Sequence, residues 1–316
     1  EWADWIGPLG DQAVIASGSE VWLSDGTELG TRRVGVGFLA AMDDRAAYFV
    51  GRDDAPGLFR LRRGFTQAQR LDGPIPSPWW WSGFSVALPL DRAAGALHGG
   101  LIGASQTPEA TSILVVPENA PAASEIHRIS AAGPADGLIH GLAAVPGGVV
   151  FLGRATDGRT ALYRSDGTSR NTVPIAIYEE DAGRLGDGSV WSIGDAVYFF
   201  ARDHGERRLH RTDGTAAGTR VIDLTSPDGE PALPYMDYRW KPANLFVARE
   251  TRTDPDRFWL VLLDPATDSP RWLRVVDQRA VSTALVRDNL FIVSSWDSDA
   301  IYVDASGVET PIDLPE

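Results

Sequence analysis

Three stretches of this sequence share one pattern, and they decide the fold. They read Glu20-Val-Trp-Leu-Ser-Asp-Gly-Thr-Glu-Leu-Gly-Thr31, Ala161-Leu-Tyr-Arg-Ser-Asp-Gly-Thr-Ser-Arg-Asn-Thr172 and Arg208-Leu-His-Arg-Thr-Asp-Gly-Thr-Ala-Ala-Gly-Thr219. Asp213 follows Asp166 by 47 residues, and Asp166 follows Asp25 by 141, which is three times that spacing. A fixed period of this length is typical of repeat folds such as β-propellers.

Degenerate copies of the pattern fill the remaining intervals. Each copy contributes two strands and comes directly after another β-rich run. Before most of these runs lie a tight turn and one more short segment, so the repeating unit is four antiparallel strands. No stretch shows helical periodicity. We therefore predict an all-β fold, a seven-bladed β-propeller of four-stranded antiparallel blades, with six or eight blades as the alternative counts. The degenerate copies lie at 58–71, 112–129, 258–276 and 301–310.

The whole chain, residues 1–316, is expected to form a single propeller domain. A chain of this length can bury a large apolar core without a disulfide or a metal ion. The predicted blades cover roughly residues 1–36, 37–72, 84–130, 138–176, 189–224, 235–276 and 280–315.

Composition narrows the functional classes. The chain has no cysteine, and 43 acidic against 29 basic side chains give a formal net charge of −14. This balance disfavours nucleic acids and anionic membranes as partners, because both attract clustered Lys and Arg. The lack of cysteine excludes disulfides, thiolate metal sites and thiol nucleophiles. No apolar run approaches the ~18 residues of a membrane-spanning helix, so no membrane insertion is expected.

The first of the three stretches resembles the repeat of the bacterial "ELWxxDGT repeat" proteins, also described as hyalin-like repeats. Tyr163 and His210 stand where that family has tryptophan, and Asn171 replaces its second glycine. The resemblance implies a propeller of a secreted or cell-envelope protein without assigned catalytic residues. The chain begins at Glu1, and we expect its targeting segment to lie outside it.

The Asp-Gly-Thr motif itself is interpreted as a structural turn. Asp-Gly supplies the positive backbone dihedrals of a tight hairpin, and flanking hydroxyls satisfy free amides in the turn. Trp22, Tyr163 and His210 then pack between blades. The alternative is a ring of cation sites at the three aspartates, although each turn offers a single carboxylate. We expect no cofactor, with structural calcium as the alternative.

A second repetition places an arginine after a small residue, at the end of the second strand of a blade. One interpretation is an arginine–carboxylate contact between blades. The other is a ring of arginines that binds an anion near the central channel, since the forked guanidinium group binds carboxylates and phosphates well. The four arginines are Arg52, Arg154, Arg202 and Arg249.

Three long connections between predicted blades are candidate binding loops, at 71–84, 177–188 and 225–240. Exposed aromatic rings beside acidic groups suit a sugar, a peptide or a cationic ligand. The alternatives are that these rings cover the core of a blade and that the acids form a solvated loop. The candidate ligand-binding residues here are Trp79, Trp80, Trp81, Tyr178, Glu179, Tyr235, Asp237, Tyr238 and Trp240.

Three functional hypotheses follow from these patterns. The first is a non-catalytic binding propeller outside the cytoplasm, which recognises a protein or carbohydrate partner through the loops between its blades. The second is a glycan hydrolase or lyase with acidic residues at the channel mouth. The third is a structural module of a larger surface protein. The sequence contains no HExxH, G-x-S-x-G or P-loop motif, which favours a non-enzymatic role.

Overall fold

The structure is a computed structural model that describes most of the chain. The described residues are 5–17, 20–42, 45–51, 57–72, 87–89, 101–106, 110–117, 119–130, 139–155, 157–181, 190–193, 195–203, 205–235, 245–250, 258–264, 266–276, 281–286, 289–294, 300–303 and 308–312. These residues divide between two compact units, Glu1–Arg184 and Leu185–Glu316.

The first unit contains three antiparallel sheets, named A to C here. Sheet A has β1 (Trp5–Leu9), β2 (Gln12–Ser17), β3 (Glu20–Ser24), β4 (Arg32–Met42), β5 (Ala46–Gly51), β6 (Gly57–Arg62) and β7 (Gln69–Leu71). Sheet B has β8 (Ala87–Pro89), β9 (Leu101–Gln106), β10 (Ala110–Val116) and β11 (Ser124–Ser130). Sheet C has β12 (Ile139–Val145), β13 (Gly148–Arg154), β14 (Arg159–Ser165) and β15 (Val173–Asp181).

The second unit contains sheets D to F, each of four antiparallel strands. Sheet D has β16 (Val190–Ile193), β17 (Ala196–Asp203), β18 (Glu206–Thr212) and β19 (Arg220–Ile222). Sheet E has β20 (Ala232–Tyr235), β21 (Leu245–Glu250), β22 (Phe258–Asp264) and β23 (Ser269–Val276). Sheet F has β24 (Val281–Val286), β25 (Asn289–Ser294), β26 (Ala300–Val303) and β27 (Glu309–Ile312).

Sheet A has seven strands because β4 belongs to two consecutive four-stranded sets, called A1 and A2 here. Its first half pairs with β3, up to Val36 opposite Glu20, and its second half pairs with β5 from Gly37 onward. Gly37 has φ 155°, and a Cβ there would lie 2.2 Å from the carbonyl oxygen of Val50. Glycine is therefore needed where the strand passes from A1 to A2.

The second strand is buried on both faces in set A2 and in sheets C and D. In β13, Val149, Val150, Phe151 and Leu152 are all fully buried, and β17 follows the same pattern. Strands that are covered on both faces have continuous apolar runs rather than alternation. The sequence therefore encodes sheets that stack face to face.

Each of the described apolar cores joins two consecutive sets of strands. One joins A1 to A2, one joins A2 to sheet B, one joins B to C, and one joins D to E. In the core between B and C, Ile113 and Ile126 pack with Phe151 and Tyr163. Burial of such apolar surface supplies most of the stabilisation of folded proteins.

The prediction of an all-β chain built from four-stranded antiparallel sheets is confirmed. Among the described residues, the helical structure is a three-residue 3-10 helix, Ser169–Asn171. No helix in the described part of the chain has the length and hydrophobicity needed to cross a membrane. The number of blades and the single-domain organisation stay predictions.

Candidate functional site

The three repeat loops have the same hydrogen-bonded structure. Each loop joins the third strand of a set to the fourth, after β3, β14 and β18. In the first loop, Oδ1 of Asp25 accepts hydrogen bonds from the backbone amide of Thr27 at 2.9 Å and from its hydroxyl at 2.7 Å. The aspartates of the other two loops accept the same two bonds at 2.7–3.0 Å. The carboxylate thus closes an Asx turn inside each loop.

Hydroxyl groups complete the first loop. The Ser24 hydroxyl accepts from the Gly26 amide at 3.1 Å and lies 2.6 Å from the hydroxyl of Thr31. The Thr31 hydroxyl donates its proton to the Thr27 carbonyl at 2.6 Å, so in the contact between the two hydroxyls Ser24 must be the donor. The same bonds recur in the other two loops. This confirms that the hydroxyls of the motif satisfy the loop amides.

The prediction of a tight hairpin with positive dihedrals at both Asp and Gly is wrong. Gly26, Gly167 and Gly214 have φ of 89°, 90° and 89°, whereas Asp268 is the one non-glycine residue of the described chain with positive φ. The motif begins a seven-residue loop between strands and not a two-residue turn. The side chain of its aspartate caps this loop. Only its glycine needs the left-handed conformation.

Hydrogen bonds in the loops stabilise the charged form of each motif aspartate. They hold the pKa of Asp25, Asp166 and Asp213 below its usual value, and the largest cause in each case is the bond from the threonine side chain. The motif carboxylates are therefore ionised acceptors already engaged by their own loops. The possibility of structural calcium stays a prediction.

Sequence analysis missed a fourth loop of this kind in sheet E. Oδ1 of Asp264 accepts from the Ala266 amide at 2.8 Å, and Oδ2 accepts from the Thr267 hydroxyl at 2.9 Å. These bonds hold the pKa of Asp264 below its usual value, the Ala266 amide contributing most. The sequence feature that could have identified this loop is an aspartate followed three residues later by threonine, without the glycine that marks the other loops.

Two of the three aromatic positions in the motif are buried. Tyr163 stacks on Phe151 with ring centroids 5.1 Å apart, and His210 stacks on Phe199 at the same distance. The ring of His127, from β11, lies 5.3 Å from that of Tyr163. This confirms that Tyr163 packs between two sheets. Trp22 is partly exposed, so this motif position is not buried in every set.

The candidate arginines that the structure describes lie at the ends of the second strands of their sheets. Arg154 is partly buried and lies beside Gly158, where a Cβ would approach its Nη2 to 3.4 Å. Arg202 and Arg249 are exposed at the ends of β17 and β21. Arg52 lies outside the described residues. Both interpretations of this repetition stay predictions.

The candidate binding loops fall mainly outside the described chain. Of the residues predicted there, the structure places Tyr178 and Glu179 in β15 and Tyr235 in β20, so these three extend strands instead of forming loops. Tyr178 is buried, which removes its ring from the surface. The residues outside the described chain are Trp79, Trp80, Trp81, Asp237, Tyr238 and Trp240.

A buried arginine joins set A2 to sheet B. Arg60 is 2% exposed, and its guanidinium donates to the carbonyl oxygens of Ala120 at 3.0 Å and Pro117 at 3.4 Å. It also donates to Oε1 of Gln69 at 3.1 Å. Because an unpaired buried charge is costly, these acceptors are needed to keep the guanidinium inside. Sequence analysis missed this residue, which belongs to a copy of the motif without its aspartate.

Sheet D has an arginine at the same register position, with a carboxylate as its ion-pair partner. Nε of Arg211 lies 3.1 Å from Oδ2 of Asp268, which is buried in the turn before β23 of sheet E. The hydroxyl of Tyr198 donates to the same carboxylate, and Arg220 also binds it. Burial and this carboxylate raise the pKa of Tyr198 far above its ordinary value. The cluster holds sheet E against sheet D.

No family model matches the sequence, and a comparison with curated proteins finds no match. Solved structures are similar in fold. Dipeptidyl peptidase 4 from Porphyromonas gingivalis matches with a TM-score of 0.62 and 11% identity, over 98% of this chain and 50% of that chain. Oligopeptidase B from Leishmania major matches with a TM-score of 0.50 and 12% identity, over 94% of this chain and 45% of that chain.

This chain therefore spans about half the length of either peptidase. At such low identity the likeness shows the fold alone. The chain is similar in fold to β-propeller proteins, and its own residues must carry any argument about function.

Proposed function

We propose that this chain is a seven-bladed β-propeller that acts as a non-catalytic interaction module outside the cytoplasm. It would bind a protein or carbohydrate partner through the connections between its blades. The blade count is supported by the order of the strands, since A1, A2 and sheets B to F are seven successive sets of four. The location outside the cytoplasm is supported by the resemblance to the ELWxxDGT repeat family.

The proposal rests on the observation that the side chains of the repeated motif have a structural role. Its carboxylates and hydroxyls bond within their own loops, as Asp213 does with Thr215 at 2.7 Å. In the three described loops that contain the motif, repetition therefore serves the folding of the sheets. On a rigid repetitive scaffold, specificity resides in the loops that differ between repeats. Two of the three long connections, 71–84 and 225–240, are also where the aromatic residues cluster.

Binding assays with the intact chain test this proposal. Glycan arrays and pulldowns would compare the native chain with Trp80→Ala and Trp240→Ala, and we expect both variants to lose binding. Leu29→Ala is the matched control, because Leu29 is fully exposed at the tip of the first repeat loop. Unchanged binding in both tryptophan variants would remove these connections from the proposal. Turnover of a polysaccharide that is abolished by Glu179→Ala would replace it with the enzymatic alternative.

A further inference from the structure

Asp268 makes its principal contacts outside its own sheet. Its backbone amide donates to the Asp264 carbonyl at 2.8 Å, which places it in the turn between β22 and β23 of sheet E. Its carboxylate points away from this turn to three polar side chains of sheet D. Oδ1 accepts from the hydroxyl of Tyr198, and Oδ2 is bound by Arg220 and by Arg211.

The backbone at this position has a conformation that glycine adopts most readily. Asp268 has φ 58°, in the left-handed region where glycine has no steric cost and where asparagine and aspartate are enriched among the other residues. A glycine would fit the turn better, yet the residue has a carboxylate that is only 8% exposed. The turn alone accepts glycine, asparagine or aspartate, and the contacts of the side chain give a further reason for an aspartate here.

The donors form a pocket that is complementary to a carboxylate. A neutral phenol hydroxyl faces one oxygen, and two guanidinium groups face the other. Arg211 is 24% exposed and Arg220 60% exposed, so one side of the pocket opens to solvent. Two positive charges against one negative charge leave the pocket cationic with Asp268 in place, and more so without it.

We propose that Tyr198, Arg211 and Arg220 form a carboxylate-binding site that Asp268 occupies as an internal ligand, which clamps sheet E to sheet D. When the side chain of Asp268 is removed, the site binds a free monocarboxylate such as formate in its place. The site requires nothing from the interaction surface proposed above.

Set A2 contains the same pair of residues, a tyrosine and an arginine, on its middle strands. Tyr48 lies opposite Arg60, as Tyr198 lies opposite Arg211, and both tyrosines are fully buried. There the arginine reaches carbonyl oxygens of the connection between β10 and β11, which is the corresponding part of the next sheet. In set A2 the arginine thus bonds to the following sheet through carbonyl oxygens, whereas in sheet D the tyrosine and the arginine both contact a carboxylate of the following sheet.

Replacement of Asp268 by glycine tests the proposal with formate as the probe. Asp268→Gly empties the site and relieves the backbone, and we expect its Tm to fall by roughly 5–10 °C through loss of the buried ion pairs. Sodium formate at about 0.1 M should then recover part of this loss through binding to the folded state, whereas sodium chloride at equal ionic strength should not. Titration should show saturable binding of one formate per chain.

Two variants separate the site from general salt effects. Asp268→Asn keeps the side-chain volume in the pocket, so formate should not raise its Tm. In the double variant Tyr198→Phe with Asp268→Gly, one donor is lost and the recovery by formate should decrease at least several-fold. If Asp268→Gly does not fold, its yield of folded protein on refolding in formate and in chloride gives the same comparison. Equal effects of formate and chloride on Asp268→Gly would overturn the proposal.

Discussion

The side-chain amide of Asn171 donates a hydrogen bond of 2.5 Å to Oδ2 of Asp166, at a loop position where the other two repeat loops have glycine. In those loops the glycine packs directly on the carboxylate. A Cβ on Gly30 or on Gly218 would lie only 2.0 to 2.1 Å from an oxygen of the motif aspartate. The same position therefore either makes room for the carboxylate or donates to it.

The close contact in the third loop predicts that Gly218→Ala destabilises the protein. The new methyl group must displace the Asp213 carboxylate from its Asx turn, and we expect a loss of about 2 kcal/mol in the free energy of unfolding. Urea denaturation would measure it. In the double variant with Asp213→Ala the clash disappears, so the two losses should be less than additive. Strict additivity would mean that the glycine does not act through the carboxylate.

The second loop predicts a different response at Asn171. Asn171→Ala removes the donor to Asp166 and should lower the free energy of unfolding by about 1 kcal/mol. Asn171→Asp should be worse at neutral pH, because it places a second carboxylate beside the first. Thermal unfolding at pH 7 and pH 4 would separate the two variants. If Asn171→Asp matched Asn171→Ala at pH 7, the amide would not be a specific partner of Asp166.

His210 predicts a loss of stability on acidification. Burial lowers its pKa from 6.5 to about 4, so between these values the unfolded chain binds a proton that the folded chain does not. The contribution of His210 to the free energy of unfolding should therefore fall as the pH drops from 6.5 to 4, by at most about 3 kcal/mol. Denaturation of the native chain and of His210→Phe across this range would measure it.

Phenylalanine is the matched replacement for His210 because the equivalent position of set A2 has a stacked pair of phenylalanines. Phe59 lies opposite Phe49 with ring centroids 5.4 Å apart, as His210 lies opposite Phe199. We expect His210→Phe to keep the stack and to flatten the pH dependence above pH 4. An unchanged slope in this variant would assign the acid sensitivity to other groups.

Substitution of Arg60, a residue outside any recognised motif, is predicted to lower the stability of the protein strongly. Arg60→Ala removes a buried guanidinium together with its hydrogen bonds to the carbonyls of Pro117 and Ala120, and we expect it to cost about 3 kcal/mol in the free energy of unfolding. The control is Arg33→Ala. Arg33 pairs with Glu20 at 2.7 Å on the surface and should contribute less than about 1 kcal/mol. Equal losses in the two variants would show that burial of Arg60 does not govern its contribution.

The fold was accessible from the sequence because repetition multiplies a weak signal. One Asp-Gly-Thr turn between two apolar runs is ambiguous, but the same turn at 25, 166 and 213 fixes a period and thus a repeating sheet. The turn type was wrong because the sequence does not say whether an aspartate uses its backbone or its side chain to close the loop. The limits of β15 and β20 were wrong for a related reason, since strands continue as long as a neighbouring strand offers hydrogen bonds.

The contacts between sheets were not accessible in this way. Asp268 and Tyr198 are 70 residues apart, and nothing in the local sequence of either residue indicates that they meet. Arg60 is charged and lies in a degenerate repeat, so neither composition nor the repeat pattern indicates that it is buried.

The sequence by itself determined the all-β class, the four-stranded unit and the role of the motif hydroxyls, because these depend on hydrogen bonds and apolar patterns within one repeat. Only the tertiary structure decided which charged groups are buried and what they bind. A buried charge is tolerated through acceptors that a different sheet supplies, and the free energy of that contact depends on distances between residues far apart in the chain.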